Sequence, residues 1–234
     1  MNGNLEVENN QIVVPGDLLG KNISSGKGTY KVNDEVRSKH LGVTRIKGDD
    51  LATVVKLAGT YIPQEGDGII GSISDVKISS WIVDIDSPYE GFLSISDGVD
   101  EYVDLEEDDI TDYFDMGDVI YTKIKSMSKS KDVKLTMKER MCRKLKGGSI
   151  IKVTPTKVPR VIGRGGSMIE LIKELTGCHI IVGQNGLVWC QGDRTDLVDK
   201  ALSIIENKSH TEGLTDRIRE MLEKETGKSG DNDE

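Results

Sequence analysis

Val158-Pro159-Arg160-Val161-Ile162-Gly163-Arg164-Gly165-Gly166-Ser167 leads an apolar residue into a Gly-x-x-Gly element between two short segments of helical composition. Glycines lack Cβ atoms, so the main chain there can approach a sugar-phosphate closely. The N–H groups that open the next helix point outward as donors for an anion. The stretch therefore predicts a grip on a nucleic-acid backbone. Taken alone, the same glycines would also serve as a tight helix-to-helix turn, and the flanking residues bear on which reading holds.

Upstream, Ser149-Ile150-Ile151-Lys152-Val153-Thr154 has strand composition. Downstream, Ser167 to Leu175 places Met168, Ile169, Ile172 and Leu175 on one helical face, and Gly177 stops that helix. Cys178 to Gly183 and Leu187 to Gln191 read as two strands joined at Asn185-Gly186, a strong hairpin signal. Leu197, Ala201, Leu202 and Ile205 give an amphipathic helix running to about Asn207. This β-α-α-β-β-α order over roughly Gly147 to Lys208 resembles the KH domain. The resemblance implies that the loop clamps about four nucleotides of single-stranded RNA while bases lie in an apolar groove. Gly163, Arg164, Gly165 and Gly166 would take the backbone, Ile162 would join the groove wall, and Lys157 and Arg160 would add positive charge. A last helix, about Leu214 to Thr226, presents Leu214, Ile218, Met221 and Leu222 for packing on this domain, residues 147–226. The acidic end, 227–234, is expected to be disordered.

The net charge of −9 argues against a nucleic-acid partner until its distribution is examined. From Asp97 to Asp118 there are 11 Asp or Glu and no Lys or Arg; from Lys123 to Arg164 there are 14 Lys or Arg against Asp132 and Glu139, a net of +12. Local potential attracts phosphate, and the basic run leads into the glycine loop. Lysines on a solvated face would give the same count. The acidic block lacks the alternating ligands and turn glycine of an EF-hand, so a solvated loop that repels RNA or meets a basic neighbour is favoured over a metal site.

Ahead of the basic run, short strands alternate with turns. They begin at Gly66-Asp67-Gly68-Ile69-Ile70, Trp81-Ile82-Val83, Glu90-Gly91-Phe92-Leu93, Gly117-Asp118-Val119-Ile120 and Val133-Lys134-Leu135. Five such strands over 64–140 resemble the ribosomal-S1-type OB barrel, which binds single strands through a basic groove and base stacking. Lys123, Lys125, Lys129, Lys131 and Lys134 are the favoured RNA contacts. Tyr89, Phe92 and Tyr121 read equally as stacking platforms or as core. Residues 1–63 form a third module, a small antiparallel β domain broken at Pro15-Gly16, Gly26-Lys27-Gly28, Asn33-Asp34 and Lys47-Gly48-Asp49-Asp50. Gly20 to Gly28 is not a phosphate loop, because its spacing is one residue too long and Gly28 stands where Ser or Thr should bind Mg²⁺. Pro63-Gln64-Glu65 is the expected joint to the barrel.

The fold class expected is thus multidomain: an all-β N-terminal domain, a five-stranded S1-type OB barrel and an α/β KH domain. A chain of 234 residues with 26 Gly and only 2 Phe and 6 Tyr suits several small modules. With no long apolar run and no signal-peptide core, it is expected to be cytoplasmic and to have no membrane partner. Its 3 cysteines, Cys142, Cys178 and Cys190, are odd in number and never paired as Cys-x-x-Cys, so neither disulfides nor zinc are expected. No cofactor is expected.

The module order, with Val14-Pro15-Gly16-Asp17-Leu18-Leu19 at the start and Tyr61-Ile62-Pro63-Gln64-Glu65-Gly66-Asp67 leading into the barrel, is similar over about residues 10 to 208 to the RNA-binding cap subunits of the archaeal RNA exosome. The resemblance implies a noncatalytic subunit in three copies on a hexameric ring of RNase-PH-like proteins. It would meet the ring subunits and the other cap protein and guide single-stranded RNA to the pore for degradation from the 3′ end, with the N-terminal domain docked on the ring. The alternative is a free-standing RNA-binding regulator, for example of translation. An enzyme fits poorly, since His40, His179 and His210 are scattered and no Ser or Cys nucleophile has a recognisable base.

Overall fold

A computed structural model of the chain describes residues 4–48, 50–57, 59–105, 107–128, 130–208 and 213–227. The chain forms two compact units, Met1–Gly59 and Thr60–Glu234. In the first, frequent Gly, Asn and Asp break the chain into short strands: β1 (Asn4–Leu5), β2 (Ile12–Val13), β3 (Leu18–Lys21), β4 (Ser24–Ser25), β5 (Thr29–Val32), β6 (Glu35–Ser38), β7 (Gly42–Lys47) and β8 (Leu51–Lys56). They assemble into two sheets, ordered β1-β3-β6-β5 and β2-β7-β8-β4, around Val13, Leu19, Ile23, Val36, Ala52 and Val54. Gly28, at φ +79°, sits so close to β8 that a Cβ would lie 2.2 Å from the Val54 carbonyl oxygen. The glycines of this loop serve strand packing. Asp49 in the β7–β8 turn lies outside the described residues.

The second unit begins with a closed barrel built from β9 (Gly68–Val76), β10 (Ser80–Asp84), β11 (Gly91–Ser94), β12 (Val119–Met127) and β13 (Val133–Thr136), with a short helix α1 (Ile95–Gly98) after β11. The circuit runs β9-β10-β11-β13-β12 and closes through the antiparallel β12–β9 pair; only β11 and β13 are parallel. Period-2 alternation points Ile120, Thr122 and Ile124 of β12 inward, where they meet Trp81, Leu93 and Leu135. The acidic segment is anchored from within. Asp109 caps a single 3-10 turn over Ile110–Asp112 by accepting from the Thr111 N–H, and that turn delivers Ile110 and Phe114 into the core. The Phe114 ring meets Trp81 edge-on at 5.2 Å, and its carbonyl accepts from Trp81 Nε1 at 2.8 Å. Replacing the fully buried Trp81 with Ala is expected to cost about 3 to 5 kcal/mol, read as a fall in the urea midpoint. A sixth strand, β14 (Arg143–Leu145), extends the sheet beside β12; its three residues carry no alternation that a sequence reading could catch.

The remainder is an α/β domain of β15 (Ser149–Lys152), α2 (Val158–Ile162), α3 (Ser167–Thr176), β16 (His179–Val182), β17 (Leu187–Gln191), α4 (Thr195–Lys208) and α5 (Leu214–Thr226). The antiparallel sheet has the order β15-β17-β16. Helices α3, α4 and α5 share one core with it, and α5 contributes Leu214, Ile218 and Leu222. Helix α3 stops at Gly177, whose φ of +70° provides the left-handed cap. The tail from Lys228 to Glu234 lies outside the described residues. The chain is therefore multidomain, with two N-terminal sheets, a five-stranded OB-type barrel and a KH-type α/β domain.

Barrel and KH-type domain meet at the β16–β17 connection. Asn185-Gly186 does not form a two-residue turn with both residues left-handed: Gly186 has φ +89°, but Asn185 is not among the positive-φ residues. Instead Asn185 is fully buried against the barrel. Its Nδ2 donates to the carbonyls of Ile70 at 2.7 Å and Ile85 at 2.9 Å, and its Oδ1 accepts from Ile70 N–H at 3.3 Å. The Gln184 N–H donates to the Gly68 carbonyl at 2.8 Å. Beside this latch, Ile70, Leu145 and Trp189 form a small apolar cluster with Val119, Tyr121, Ile181 and Leu187 around it.

Candidate nucleic-acid interface

The glycine loop lies between α2 and α3. Gly163, at φ +77° and ψ 175°, leaves no room for a side chain, since a Cβ would sit 2.6 Å from Met168 N. Gly165, at φ +61°, and Gly166, at φ +89°, complete the turn; a Cβ on Gly165 would meet nothing within 4 Å. Because Gly166 is the residue preceding α3, no side chain caps that helix. The Ser167 N–H that opens the helix donates to the Arg164 carbonyl, Glu170 lies in the first turn, and the positive end of the helix dipole emerges at the loop. Arg160 and Arg164 flank this end, both exposed and, among the described residues, without an ion-pair partner. Ile162 is half-buried against the domain core. Lys157 is turned the other way: its Nζ donates to the Glu206 carbonyl near the end of α4. The Glu206 carboxylate accepts from Thr154 N–H and Oγ1, so the C-terminal end of α4 holds the entry to α2.

The barrel residues divide. Ile82 of β10 is directly opposite Phe92 of β11, and Phe92 is opposite Lys134 of β13, so these three side chains share one outward row. The row lies in an open groove of about 720 Å3 that also takes in Tyr89 and Lys131. Phe92 is 40% exposed, and Lys131 Nζ stands 5.9 Å from the Tyr89 ring centre, close enough for a cation–π contact. Lys123 and Lys125 are engaged elsewhere, with Glu139 at 3.3 Å and Asp97 at 2.7 Å respectively. Lys129 lies outside the described residues. Tyr121 packs with its phenol against Gly68 in the barrel–KH cluster, and burial raises its pKa, which removes it as a stacking platform.

The basic run is thus less uniform than its count. Lys144 pairs with Asp118 and Lys152 with Asp86, so with Lys123 and Lys125 four of its lysines are engaged by carboxylates, three of which lie outside the run. Among the described residues, the cations of the run that keep no ion pair include Arg160 and Arg164 at the loop and Lys131 and Lys134 in the barrel groove. The pairs were not readable from the sequence because barrel closure brings their members together. Among the described residues no helix is long and apolar enough to cross a membrane, and no group of His, Cys, Asp or Glu is placed to hold a metal ion. All three cysteines are free.

Residues 148–207 match the KH domain family. The chain is 47% identical over 223 residues to exosome complex component Rrp4 of Pyrococcus abyssi, covering 92% of this chain and 83% of that protein. It is 42% identical over 221 residues to the Rrp4 of Methanothermus fervidus, covering 93% of this chain and 97% of that one. A crystal structure of a protein described as an exosome complex RNA-binding protein superposes with a TM-score of 0.66 at 36% identity, over 71% of this chain and 97% of that one. Sustained identity through all three modules, in the order the fold displays, places the chain in the exosome complex component Rrp4 family.

Proposed function

We propose that the protein is a noncatalytic, cytoplasmic RNA-binding subunit of an exosome complex, capping a hexameric ring of RNase-PH-like proteins in three copies and guiding single-stranded RNA toward the pore for degradation from the 3′ end. The observation that carries the RNA-binding part is the start of α3, which no side chain caps, approached through Gly165 and Gly166 and flanked by Arg160 and Arg164, which have no ion pair among the described residues. Backbone amides, a helix dipole and two guanidiniums converge there on one patch, an arrangement suited to phosphate. Gly163, Arg164, Gly165 and Gly166 hold the backbone and Ile162 lines the adjoining groove. The barrel groove adds Phe92 and Tyr89 as faces for bases, with Lys131 and Lys134 for phosphates. Lys123, Lys125 and Lys157 play a lesser part, since each is already engaged.

Docking on the ring falls to the N-terminal β domain. Ile12 lies opposite Val43 and Val43 opposite Val55, which sets three β-branched side chains in a row on one face of the sheet. Ile12 is 65% and Val55 55% exposed. An apolar row turned to solvent fits an interface better than a free surface. The other cap protein is a further neighbour in the complex.

Native copurification, with size-exclusion chromatography of the reconstituted mixture, tests this reading. The chain is expected to elute with RNase-PH-like ring subunits, and the double variant Ile12→Asp/Val55→Asp to elute alone while still binding RNA. A parent chain that binds RNA but never joins a ring would instead favour a free-standing regulator.

A further inference from the structure

A third cationic cluster lies away from both the glycine loop and the barrel groove, where β14 of the barrel passes the first residue of β16. The Arg143 guanidinium donates to His179 Nε2 at 2.6 Å, and the His179 ring stands edge-on to Trp189 with centroids 5.6 Å apart. Lys173 of α3 is the other charge whose field reaches this imidazole; from β17 the neighbours are Trp189 and Gln191, both neutral. Partial desolvation first, then the charges of Arg143 and Lys173, hold the His179 pKa below its ordinary value. Glu170 and Glu174 share α3 with Lys173, yet among the described residues neither Lys173 nor Arg143 has an ion-pair partner. This differs from Lys123, Lys125, Lys144 and Lys152, each of which has found a carboxylate. Two uncompensated cations around an imidazole repel one another, and an anion placed among them would relieve that repulsion.

We propose that Arg143, Lys173 and His179 form a second seat for an RNA backbone phosphate, at the seam between barrel and KH domain. The inference rests on the RNA-binding reading above and extends it to residues that neither the loop nor the groove contains. Lys173 follows Ser167 by six positions on the helix that the glycine loop opens, about 9 Å along its axis. A strand leaving the loop along α3 therefore reaches Arg143 and His179 without a long detour. The seat also has a pH signature. A bound phosphate that accepts from both Arg143 and a protonated Nε2 replaces the direct Arg143–His179 hydrogen bond and stabilises the imidazolium, so the His179 pKa is higher in the complex than in the free protein, and affinity for a strand long enough to reach the seam rises as pH falls from about 7.5 to 6.

The test uses the full chain and two single-stranded oligouridylates, one of about four nucleotides, the span of a KH clamp, and one of about twelve. Arg143→Ala/Lys173→Ala is expected to bind the short strand like the parent and the long one about 5- to 10-fold more weakly. The log-log salt slope for the long strand should lose about 0.7, corresponding to the one phosphate contact removed. Arg143→Lys/Lys173→Arg, which keeps both charges, is expected to remain within about threefold of the parent. In the parent, the His179 ring protons followed by NMR should titrate at higher pH once the long strand is added. If Arg143→Ala/Lys173→Ala keeps the parent's affinity and slope for the long strand, the seat does not exist, while the function proposed for the loop is untouched. Failure of the parent to bind either strand would instead overturn both.

Discussion

Asn185→Ala is expected to destabilise the unit from Thr60 onward by about 3 to 5 kcal/mol, because it leaves the buried Ile70 N–H and the carbonyls of Ile70 and Ile85 without their partner, at roughly 1 to 3 kcal/mol each after relaxation. At about 2 to 4 °C per kcal/mol for a unit of this size, the thermal midpoint should fall by roughly 10 °C. The inserting loop has no slack: a Cβ on Gly183 would sit 2.8 Å from Ile70 N. Asn185→Asp should be at least as damaging at neutral pH, since a carboxylate can accept from Ile70 N–H but cannot donate to either carbonyl. Burial raises the pKa of such a carboxyl above its unfolded value, so part of the lost stability should return as pH falls through the folded pKa and the group regains a donor. Calorimetry of the parent and both variants reads these effects. A midpoint for Asn185→Ala within about 2 °C of the parent would show that the apolar cluster of Ile70, Leu145 and Trp189 holds the seam without the latch.

Arg164→Asp/Gly165→Asp should weaken binding of single-stranded RNA more than about tenfold, because charged hydrogen bonds contribute about 1.5 to 3 kcal/mol each and two anions would replace a cation and a bare backbone. The variant is suited to the purpose because it need not disturb the fold. Arg164 is exposed, open space surrounds a Cβ on Gly165, and Asp is among the residues that tolerate the left-handed φ of +61° found there. Gly163→Ala would be a poorer probe, since its methyl group would drive into Met168 N and distort the start of α3. Fluorescence anisotropy with a labelled oligonucleotide measures the change, and circular dichroism confirms that the helices persist. Parent-like affinity in the double variant would reduce the glycines to a turn between helices.

The α/β domain was legible in the sequence because each of its elements carries a local signal. Met168, Ile169, Ile172 and Leu175 recur at helical spacing, Gly177 ends the helix, and Leu187 to Gln191 forms a strand over the span read for it. Barrel strands were legible for the same reason, through alternation in Val119 to Ile124 and glycines at their starts. What stayed hidden depends on contacts between distant residues. Asn185-Gly186 carries a strong local turn signal, and nothing local reveals that Asn185 will reach residues a hundred or more positions earlier in the chain. Lys125 and Asp97, 28 positions apart, belong to runs of opposite charge that looked segregated in sequence but interleave once β12 closes the barrel. Arg143, by contrast, read as one more member of a basic run; its contact with His179, and its lack of an ion pair among the described residues, emerge only when β14 is laid beside β12.

The Asn185 latch has a consequence for how long a captured strand must be. Two recognition sites on a flexible tether adjust their separation to whatever they hold, whereas sites on one stiff body impose theirs. With Gln184 and Asn185 bonded into the first barrel strand, the glycine loop and the aromatic groove behave as fixed marks on a ruler. For the proposed RNA path, oligonucleotides too short to bridge the marks engage one site only, and avidity sets in abruptly at a threshold length; cutting the latch would blur that threshold.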